Sequence, residues 1–412
     1  MIKRILLSAY ACEPDRGSEP GIGWKWALHL AQDKNYEIHV ITRKNNQDKI
    51  DRYLKTHSGK DNLYFHYYDL PPVFIRLKKH GFSVNLYYAF WQIGILKLGK
   101  ELHRHYKFDL VHHLTFGVFR DVSFLYKIPA PFIFGPAGGG DYTPPQLANY
   151  PRKYRLKEEI RKLANRITLL NPFLNQMFAA SALILTKTAA TKILIPQKWQ
   201  DKTYNRLEIG IDTVTASIPE NRNKNTFLYV GRFIYLKGLD LLMDTFKYYL
   251  EHYDSTAKLL LIGSGDYQER IGTFARQHNM EANISIIPWL TFDELKSYYA
   301  TSTAFLFPSL HDSSGNVVLE ALSFALPVIC LDCGGPACVM GETLKEFVVS
   351  TQDKSPQEIS EEFASKMNLL VSNKEFYNNT ADKSRQRAED FLWPTVVKDS
   401  YEFFFNNLKS LQ

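Results

Sequence analysis

Short apolar runs alternate with longer amphipathic segments along the chain, and this alternation restricts the possible fold more than any other feature. The runs of the first half are RILLSAYA (4–11), YEIHVITR (36–43), NLYFHYY (62–68), DLVHHL (109–114), PFIFG (131–135) and ALILT (182–186). Nearly continuous apolar strands are typical of parallel sheets that helices cover on both faces. The first half is therefore predicted to be a doubly wound α/β domain.

A second series of apolar runs follows the polar stretch SIPENRNKN (217–225). It consists of TFLYVGR (226–232), KLLLIG (258–263), NISIIPW (283–289), TAFLFPS (303–309) and PVICLD (327–332). A chain of 412 residues exceeds one ordinary core and suits two domains of about 200 residues each. We predict an N-terminal Rossmann-like domain over 1–200 and a C-terminal one over 201–393, facing a cleft formed by their strand ends.

Membrane spans and disulfides find no support in the sequence. No apolar stretch approaches the roughly 18 residues that cross a bilayer. The first apolar run reaches Glu13 and Asp15 without a small-residue cleavage site, which indicates a first strand and not a signal peptide. Four cysteines suggest no disulfide framework, so we expect a reducing, cytoplasmic location.

Glycines follow the first predicted strand, where a parallel sheet binds ligands. Gly21 and Gly23 lie at the start of a helix expected to begin near Ile22, and they would let backbone approach a phosphate or sugar; an ordinary tight turn is the alternative. The glycines make a poor dinucleotide fingerprint, because Trp26 stands where a third small residue belongs. The second strand also ends without an acidic residue, which counts against a nicotinamide oxidoreductase.

Two cations and two backbone segments follow strands of the second series. Arg232 and Lys237 lie between a strand and a helix, where they could converge on an anionic ligand; two solvated cations are the alternative. Gly263 follows the next strand, in a turn or at a close backbone approach. The backbone around Leu290, after the third strand, could contact the edge of a nucleobase.

The stretch SLHDSSGNVVLE places two carboxylates around a loop and a helix start. Asp312 lies in the loop, and Glu320 lies one turn inside the helix. Free amides of the loop could hold a diphosphate while the two acids accept hydrogen bonds from sugar hydroxyls, although a first-turn acid often only stabilises a helix dipole. The candidate binding residues of the loop and helix start are Ser314, Gly315, Asn316 and Val317.

Together these motifs resemble a known enzyme family. VGRFIYLKG, GSGD and PSLHDSSGNVVLEALSFALPVICLDCGGP are similar to the nucleotide-sugar half of retaining glycosyltransferases with the two-Rossmann GT-B fold, the bacterial glycosyl transferases group 1. GSEPGIGWKWA, DLVHHLTFGVFR and FIFGPAGGG resemble the N-terminal half of the same family. The resemblance covers nearly the whole chain, and the motifs occur in the family's order.

The resemblance implies a role for each candidate of the second half. The family's Glu-x7-Glu signature corresponds to Asp312 and Glu320: the first acid lies near the transferred hexose and the second holds the ribose. Asp312 is one methylene shorter than the usual Glu, which leaves the donor sugar open. Arg232 and Lys237 match the pair that binds the diphosphate, and the backbone at Leu290 matches the contact to the base. We expect Asp312 and these two cations to act in catalysis, the cations by stabilising the leaving diphosphate.

Histidines and glycines carry the resemblance in the first half. Many members have a His-x-His pattern, whose second position is Leu114 here. Alternation along a strand puts only His112 on the same face as Leu114, but either His112 or His113 is a catalytic candidate, and a structural histidine is the alternative. Gly139 is expected on the acceptor side. The resemblance further implies that a helix over 394–412 returns to the N-terminal domain.

The implied reaction moves a hexose-type sugar from a nucleoside-diphosphate sugar to a glycan or lipid-linked acceptor, with retention of anomeric configuration. Such a reaction belongs to cell-surface polysaccharide or glycolipid biosynthesis. The resemblance implies no cofactor and no metal. A GT-B-like sugar-nucleotide epimerase or hydrolase, acting without an acceptor, is the alternative.

The formal net charge of +7 concentrates in two stretches. Residues 71–107 carry seven Lys or Arg against one Glu, interleaved with aromatic residues, and residues 151–171 carry seven against two. Such segments suit peripheral contact with an anionic membrane, at the inner face of the cell membrane; solvated helix faces with aromatic residues in the core are the alternative. Nucleic acid is not expected as a partner, because no nucleic-acid-binding module is present.

Overall fold

The structure is a computed structural model that describes residues 2–57, 59–74, 84–148, 152–218 and 222–409. The chain divides into two compact units. The N-terminal unit comprises Met1–Gly140, Leu163–Ile209 and Trp393–Gln412, and the C-terminal unit comprises Asp141–Lys162 and Gly210–Leu392.

The N-terminal unit is built on a seven-stranded parallel sheet with the order β3-β2-β1-β4-β5-β6-β7. Its strands are β1 (Lys3–Ser8), β2 (Tyr36–Arg43), β3 (Leu63–Tyr68), β4 (Leu110–His113), β5 (Phe132–Ala137), β6 (Ser181–Thr186) and β7 (Thr203–Asn205). The central strands β1 and β4 are paired in register, with Leu7 opposite His112, and are buried on both faces except at the start of β1. The strand order reverses between them, which is the switch point of a doubly wound sheet.

The C-terminal unit has a six-stranded sheet of the same kind, with the order β10-β9-β8-β11-β12-β13. Its strands are β8 (Thr226–Val230), β9 (Lys258–Ile262), β10 (Ile284–Ile287), β11 (Ala304–Phe307), β12 (Val328–Leu331) and β13 (Val348–Val349). All the pairs are parallel, and the switch point lies between β8 and β11. The predicted fold class, with two doubly wound parallel sheets, is confirmed.

Helices connect the strands in both units. In chain order they are α1 (Ser18–Leu30), α2 (Gln47–Thr56), α3 (Val84–Tyr106), α4 (Arg152–Thr168), α5 (Pro172–Ala180), α6 (Ala189–Leu194), α7 (Leu239–His252), α8 (Gln268–Gln277), α9 (Phe292–Thr301), α10 (Asn316–Ser323), α11 (Gly334–Met340), α12 (Pro356–Ser372), α13 (Lys374–Glu389) and α14 (Trp393–Lys409). In the part of the chain that the structure describes, no helix combines the length and apolar character needed to cross a bilayer.

The eleven predicted strands are present, with ends that shift by at most three residues. Strands β7 and β13 were not predicted, because edge strands of three and two residues are too short to show a period. The predicted start of α1, near Ile22, is too late. The helix begins at Ser18, directly after Gly17, whose backbone is extended.

The boundaries of the two units differ from the predicted ones in two places. β7 pairs with β6 and extends the N-terminal unit to Ile209, beyond the expected limit of 200. Residues 141–162 pack in the C-terminal unit, where the ring of Tyr154 stacks on Tyr235 with centroids 4.2 Å apart. The last helix, α14, lies in the N-terminal unit.

Candidate functional site

Most of the predicted site residues of the second half lie at the switch point of the C-terminal sheet. Arg232 and Lys237 follow β8, and Asp312 follows β11, its neighbour in the sheet. The carboxyl ends of two parallel neighbours that lead to opposite faces leave a crevice, which is where open α/β sheets bind ligands.

Glycines let the loops at this edge lie against one another. Gly238 has φ +66°, and a Cβ atom there would stand 1.9 Å from the carbonyl oxygen of Pro308. A Cβ at Gly263 would stand 1.9 Å from the carbonyl oxygen of Gly231. The structure thus gives Gly263 a packing role between the loops after β8 and β9.

Lys237 and Asp312 form an ion pair beneath the loop. Lys237 Nζ lies 2.6 Å from Asp312 Oδ2, and the two side chains are only 11% and 19% exposed. The second carboxylate oxygen, Oδ1, accepts hydrogen bonds from the backbone N–H groups of Ser314 at 3.1 Å and Gly315 at 2.9 Å. Burial alone would raise the pKa of Asp312, but Lys237 and these two N–H groups together lower it below its ordinary value.

Asp312 therefore organises the loop from within. Both of its carboxylate oxygens are engaged by protein groups, and its carbonyl oxygen accepts the N–H of Gly335 at 2.7 Å. A Cβ at Gly334 would stand 2.2 Å from that carbonyl oxygen, so the Gly-Gly-Pro turn fits closely under the loop. A contact between the Asp312 carboxylate and a hexose, implied by the resemblance, stays a prediction.

The start of α10 presents backbone donors at the same edge. Gly315 is its N-cap in the left-handed conformation, with φ +80°, and supplies no capping side chain. Among the residues that the structure describes, the first-turn N–H groups of Asn316 and Val317 have no intrahelical or side-chain acceptor. The exposed Arg232 follows β8. A helix start and a guanidinium at the same edge of the sheet are groups suited to binding phosphate oxygens.

Glu320 is a half-buried carboxyl group one turn into α10. Its Oε2 accepts a hydrogen bond from the hydroxyl of Tyr299 on α9, at 3.0 Å. Burial raises the pKa of Glu320 to about 7, while the Tyr299 hydrogen bond acts in the opposite direction. Tyr299 is fully buried and fixes the position of the carboxyl group.

Leu290 follows β10, the edge strand of the sheet, and is half-buried. Its neighbour Trp289 is 72% exposed. Thr291 begins α9 with a capping box, in which its side chain accepts the N–H of Glu294 and the Glu294 carboxylate accepts the N–H of Thr291. The backbone at Leu290 is thus held in a defined turn, and its contact to a base stays a prediction.

Three residues outside the predicted set, Asp141, Ser313 and His311, form hydrogen bonds that support the loop. Asp141 is almost fully buried; its Oδ2 accepts the hydroxyl of Ser313 at 2.8 Å. The Nε2–H of His311 donates to the carbonyl oxygen of Asp141 at 2.6 Å. Asp141 follows the triple glycine, and His311 precedes the first acid of the signature, so proximity to motifs was the available signal.

The predicted glycines of the N-terminal unit serve packing. Within α1, a Cβ at Gly21 would stand 2.0 Å from the carbonyl oxygen of Arg16, and one at Gly23 would stand 2.1 Å from that of Ala11. Gly139 has φ +94°, and its carbonyl oxygen accepts a hydrogen bond from Asn165 at 3.2 Å. The close approach that the glycines allow in α1 is to the chain itself, and a ligand contact stays a prediction.

His112 and His113 lie in the core of the N-terminal unit. The Nε2–H of His112 donates to the carbonyl oxygen of Gly135 at 2.8 Å, so its Nδ1 accepts the hydroxyl of Tyr401 at 2.9 Å. His113 Nε2 lies 3.2 Å from the hydroxyl of Tyr88. Burial lowers the pKa of His112 to about 4 and that of His113 to about 3. Both ring nitrogens of His112 are therefore engaged by protein groups. Catalysis by either histidine stays a prediction.

Comparison with known proteins concerns first the C-terminal unit. Residues 211–387 match the family described as glycosyl transferases group 1. The matched region is similar to that family, and it covers less than half of the chain. The matched region contains the Lys237–Asp312 pair, the start of α10 and Glu320, which are the features just described.

Curated relatives are similar over about half of the chain. An uncharacterized glycosyltransferase of Haemophilus influenzae is 28% identical over 220 residues, which cover 52% of this chain and 59% of that protein. The O-antigen chain mannosyltransferase C of Escherichia coli is 24% identical over 263 residues, covering 61% of this chain and 67% of the relative. The chain spans about half the length of the first curated relatives it matches.

Solved structures share the whole architecture. The sucrose-phosphate synthase of Thermosynechococcus elongatus aligns with a TM-score of 0.66 at 15% identity, over 99% of this chain and 100% of that one. The likeness shows the fold, which is the GT-B fold with two Rossmann-like domains.

Proposed function

We propose that this protein is a glycosyltransferase that takes its sugar from a nucleoside-diphosphate donor bound at the switch point of the C-terminal sheet. One observation carries the proposal: the paired Lys237 and Asp312, the uncapped start of α10 and Glu320 converge at the end of β8 and β11. They do so inside the region that matches glycosyl transferases group 1.

The diphosphate is assigned to the start of α10 and Arg232. The N–H groups of Asn316 and Val317 point out of the helix, where the macrodipole favours negative charge. Arg232 is exposed and has a planar fork suited to phosphate oxygens. Lys237 adds positive charge from below, although Asp312 neutralises much of it. Charge that develops on the leaving diphosphate would be stabilised without rearrangement of these groups.

The ribose is assigned to Glu320. As a carboxylate this group accepts hydrogen bonds from two neighbouring hydroxyls, and Tyr299 keeps it in place. Its pKa near 7 means that the acceptor form becomes dominant only above neutral pH. We assign Asp312 the shaping of the loop that faces the transferred sugar.

We further propose that a hexose is transferred with retention of configuration, without a metal or cofactor, in the cytoplasm. The acceptor would be a glycan or a lipid-linked sugar. A mannosyltransferase that acts on O-antigen chains among the relatives supports an acceptor of this class, and the sequence resemblance supports retention.

Two measurements test the proposal. Thermal shift against a panel of nucleoside diphosphates should raise the melting temperature with one of them, because a ligand that binds only the folded state stabilises it. The corresponding sugar nucleotides are then incubated with and without glycan acceptors, and NMR identifies the product and its anomeric configuration. No stabilisation by any nucleotide would refute the donor site; turnover without acceptor would point to an epimerase or hydrolase.

A further inference from the structure

Helix α4 (Arg152–Thr168) has its polar and apolar faces reversed relative to an ordinary surface helix. Its inward positions are polar, and they are Tyr154, Glu158, Arg161 and Asn165. Its outward positions form an apolar stripe with the spacing four, three, four and three: Leu156, Ile160, Leu163, Ile167 and Leu170, the last in the turn that follows the helix. Each stripe residue is between 56% and 80% exposed.

The inward polar face is fixed by partners. Glu158 Oε1 accepts the hydroxyl of Tyr235 at 2.8 Å, and Arg161 pairs with Glu158. The hydroxyl of Tyr154 donates to Asp266 at 3.1 Å, and the Asn165 amide donates to Gly139. Rotating the helix to hide the apolar stripe would bury charges and break these bonds. The apolar face is therefore held outward.

A continuous apolar stripe of this size is rare on a surface that only water covers. Positive charge surrounds it: the exposed flanking cations are Arg155, Lys157 and Arg166, and the acidic neighbour Glu159 pairs with Lys162 at 2.8 Å. Two copies of this helix would bring like charges together along the flanks, which disfavours self-association. An apolar stripe flanked by cations is complementary to an anionic lipid surface.

We propose that the outward face of α4 docks on an anionic membrane surface, with the stripe inserted among the acyl chains near the headgroups. This stripe lies in the second basic stretch of the sequence. In the first, residues 71–107, the aromatic residues Tyr87, Tyr88 and Trp91 are buried in the core and Phe82 lies outside the described residues. Helix α3 of that stretch also exposes Leu86, Phe90 and Ile93, but these are between 40% and 54% exposed, so the stripe of α4 is longer and more exposed. The proposal does not rest on the assigned reaction.

Co-sedimentation of the full chain with vesicles tests the proposal. Vesicles of equal parts phosphatidylglycerol and phosphatidylcholine should bind the protein at low salt, and phosphatidylcholine vesicles should bind it much more weakly, on the order of fivefold per cation that reaches the surface. The double substitution Ile160→Ser with Ile167→Ser should reduce binding to the anionic vesicles about tenfold or more, since two inserted side chains are lost.

A matched control separates the stripe from general hydrophobicity. Ile193→Ser removes an apolar side chain that is 78% exposed elsewhere on the protein and should leave binding unchanged. Circular dichroism and melting temperature should not distinguish the variants from the parent, because the replaced residues are at the surface. The proposal is overturned if anionic vesicles do not bind the parent, if the double variant binds as well as the parent, or if light scattering shows a dimer that the double substitution dissociates.

Discussion

Removing the charge of Lys237 should destabilise the C-terminal unit, because Asp312 would be left as an unpaired, largely buried carboxylate. Breaking a fully buried pair costs about 3 to 5 kcal/mol. Since the two side chains remain 11% and 19% exposed, we expect Lys237→Met to lie at the lower end, about 3 kcal/mol. For a unit of this size the loss corresponds to roughly 6 to 12 °C in the melting temperature.

Calorimetry of the single variant and of the double variant Lys237→Met with Asp312→Asn measures this effect. The amide introduced in the double variant would keep an oxygen for the N–H groups of Ser314 and Gly315 but carries no charge, so this variant should recover about 1 to 2 kcal/mol. The folded-state pKa of Asp312 is lowered in the parent, so its contribution is present above the ordinary value of 3.8 and is lost as pH falls through the folded pKa. The difference between parent and single variant should therefore shrink in acid. Equal stability of the parent and Lys237→Met at pH 7 would refute a stabilising ion pair between Lys237 and Asp312. A double variant no more stable than Lys237→Met would refute it as well.

Three further predictions concern glycine geometry, Glu320 and the last helix. Gly238→Ala should destabilise the protein by more than about 1 kcal/mol, because the left-handed backbone and the Pro308 carbonyl leave no room for a Cβ atom. The control Gly272→Ala in α8 meets only ordinary contacts and should stabilise the protein by about 0.5 to 1 kcal/mol. Urea unfolding measures both free energies. The pKa of Glu320 is raised from 4.5 to about 7 in the folded state. The stability that this group contributes is therefore complete below pH 4.5 and is lost as pH rises through 7, by up to about 3 kcal/mol. Glu320→Gln should flatten this part of the profile of unfolding free energy against pH. Tyr401→Phe should lower the free energy of unfolding by about 1 to 3 kcal/mol, because the buried Nδ1 of His112 would lose its hydrogen-bond donor. Unchanged stability would show that this hydrogen bond from α14 does not stabilise the N-terminal unit.

The fold could be predicted from the sequence because most of its strands are continuous apolar runs, which are recognisable without knowledge of their partners. Their order of alternation predicts two parallel sheets, and the positions of Arg232, Lys237 and Asp312 after strands predict where they meet. The start of α10 was likewise readable from Gly315, which ends the loop and leaves the first helical turn uncapped. The short edge strands β7 and β13 carried no periodic signal and were missed.

The internal partners of the site residues could not be predicted. Lys237 and Asp312 are 75 positions apart, and nothing in either motif indicates that they neutralise each other. The strand that carries His112 was predicted correctly, but the hydrogen bonds that occupy both of its ring nitrogens were not. One of these partners is Tyr401 on α14, which lies 289 positions along the chain from His112, and the other is the Gly135 carbonyl. The outward orientation of the apolar stripe of α4 could not be predicted either, because an apolar stripe with this spacing normally faces the core.

The donor site is tested most directly by calorimetric titration of the nucleoside diphosphate that gives the largest thermal shift. Arg232→Ala should weaken its binding by about 10-fold to 150-fold, since one charge-assisted contact to phosphate is lost while no described ion pair of the fold is broken. Arg276→Ala, which removes an exposed cation of α8 bonded only to Thr273 among the described residues, should leave the affinity unchanged. Equal affinity of the parent and Arg232→Ala, or loss of affinity in both variants alike, would contradict a diphosphate held between Arg232 and the start of α10.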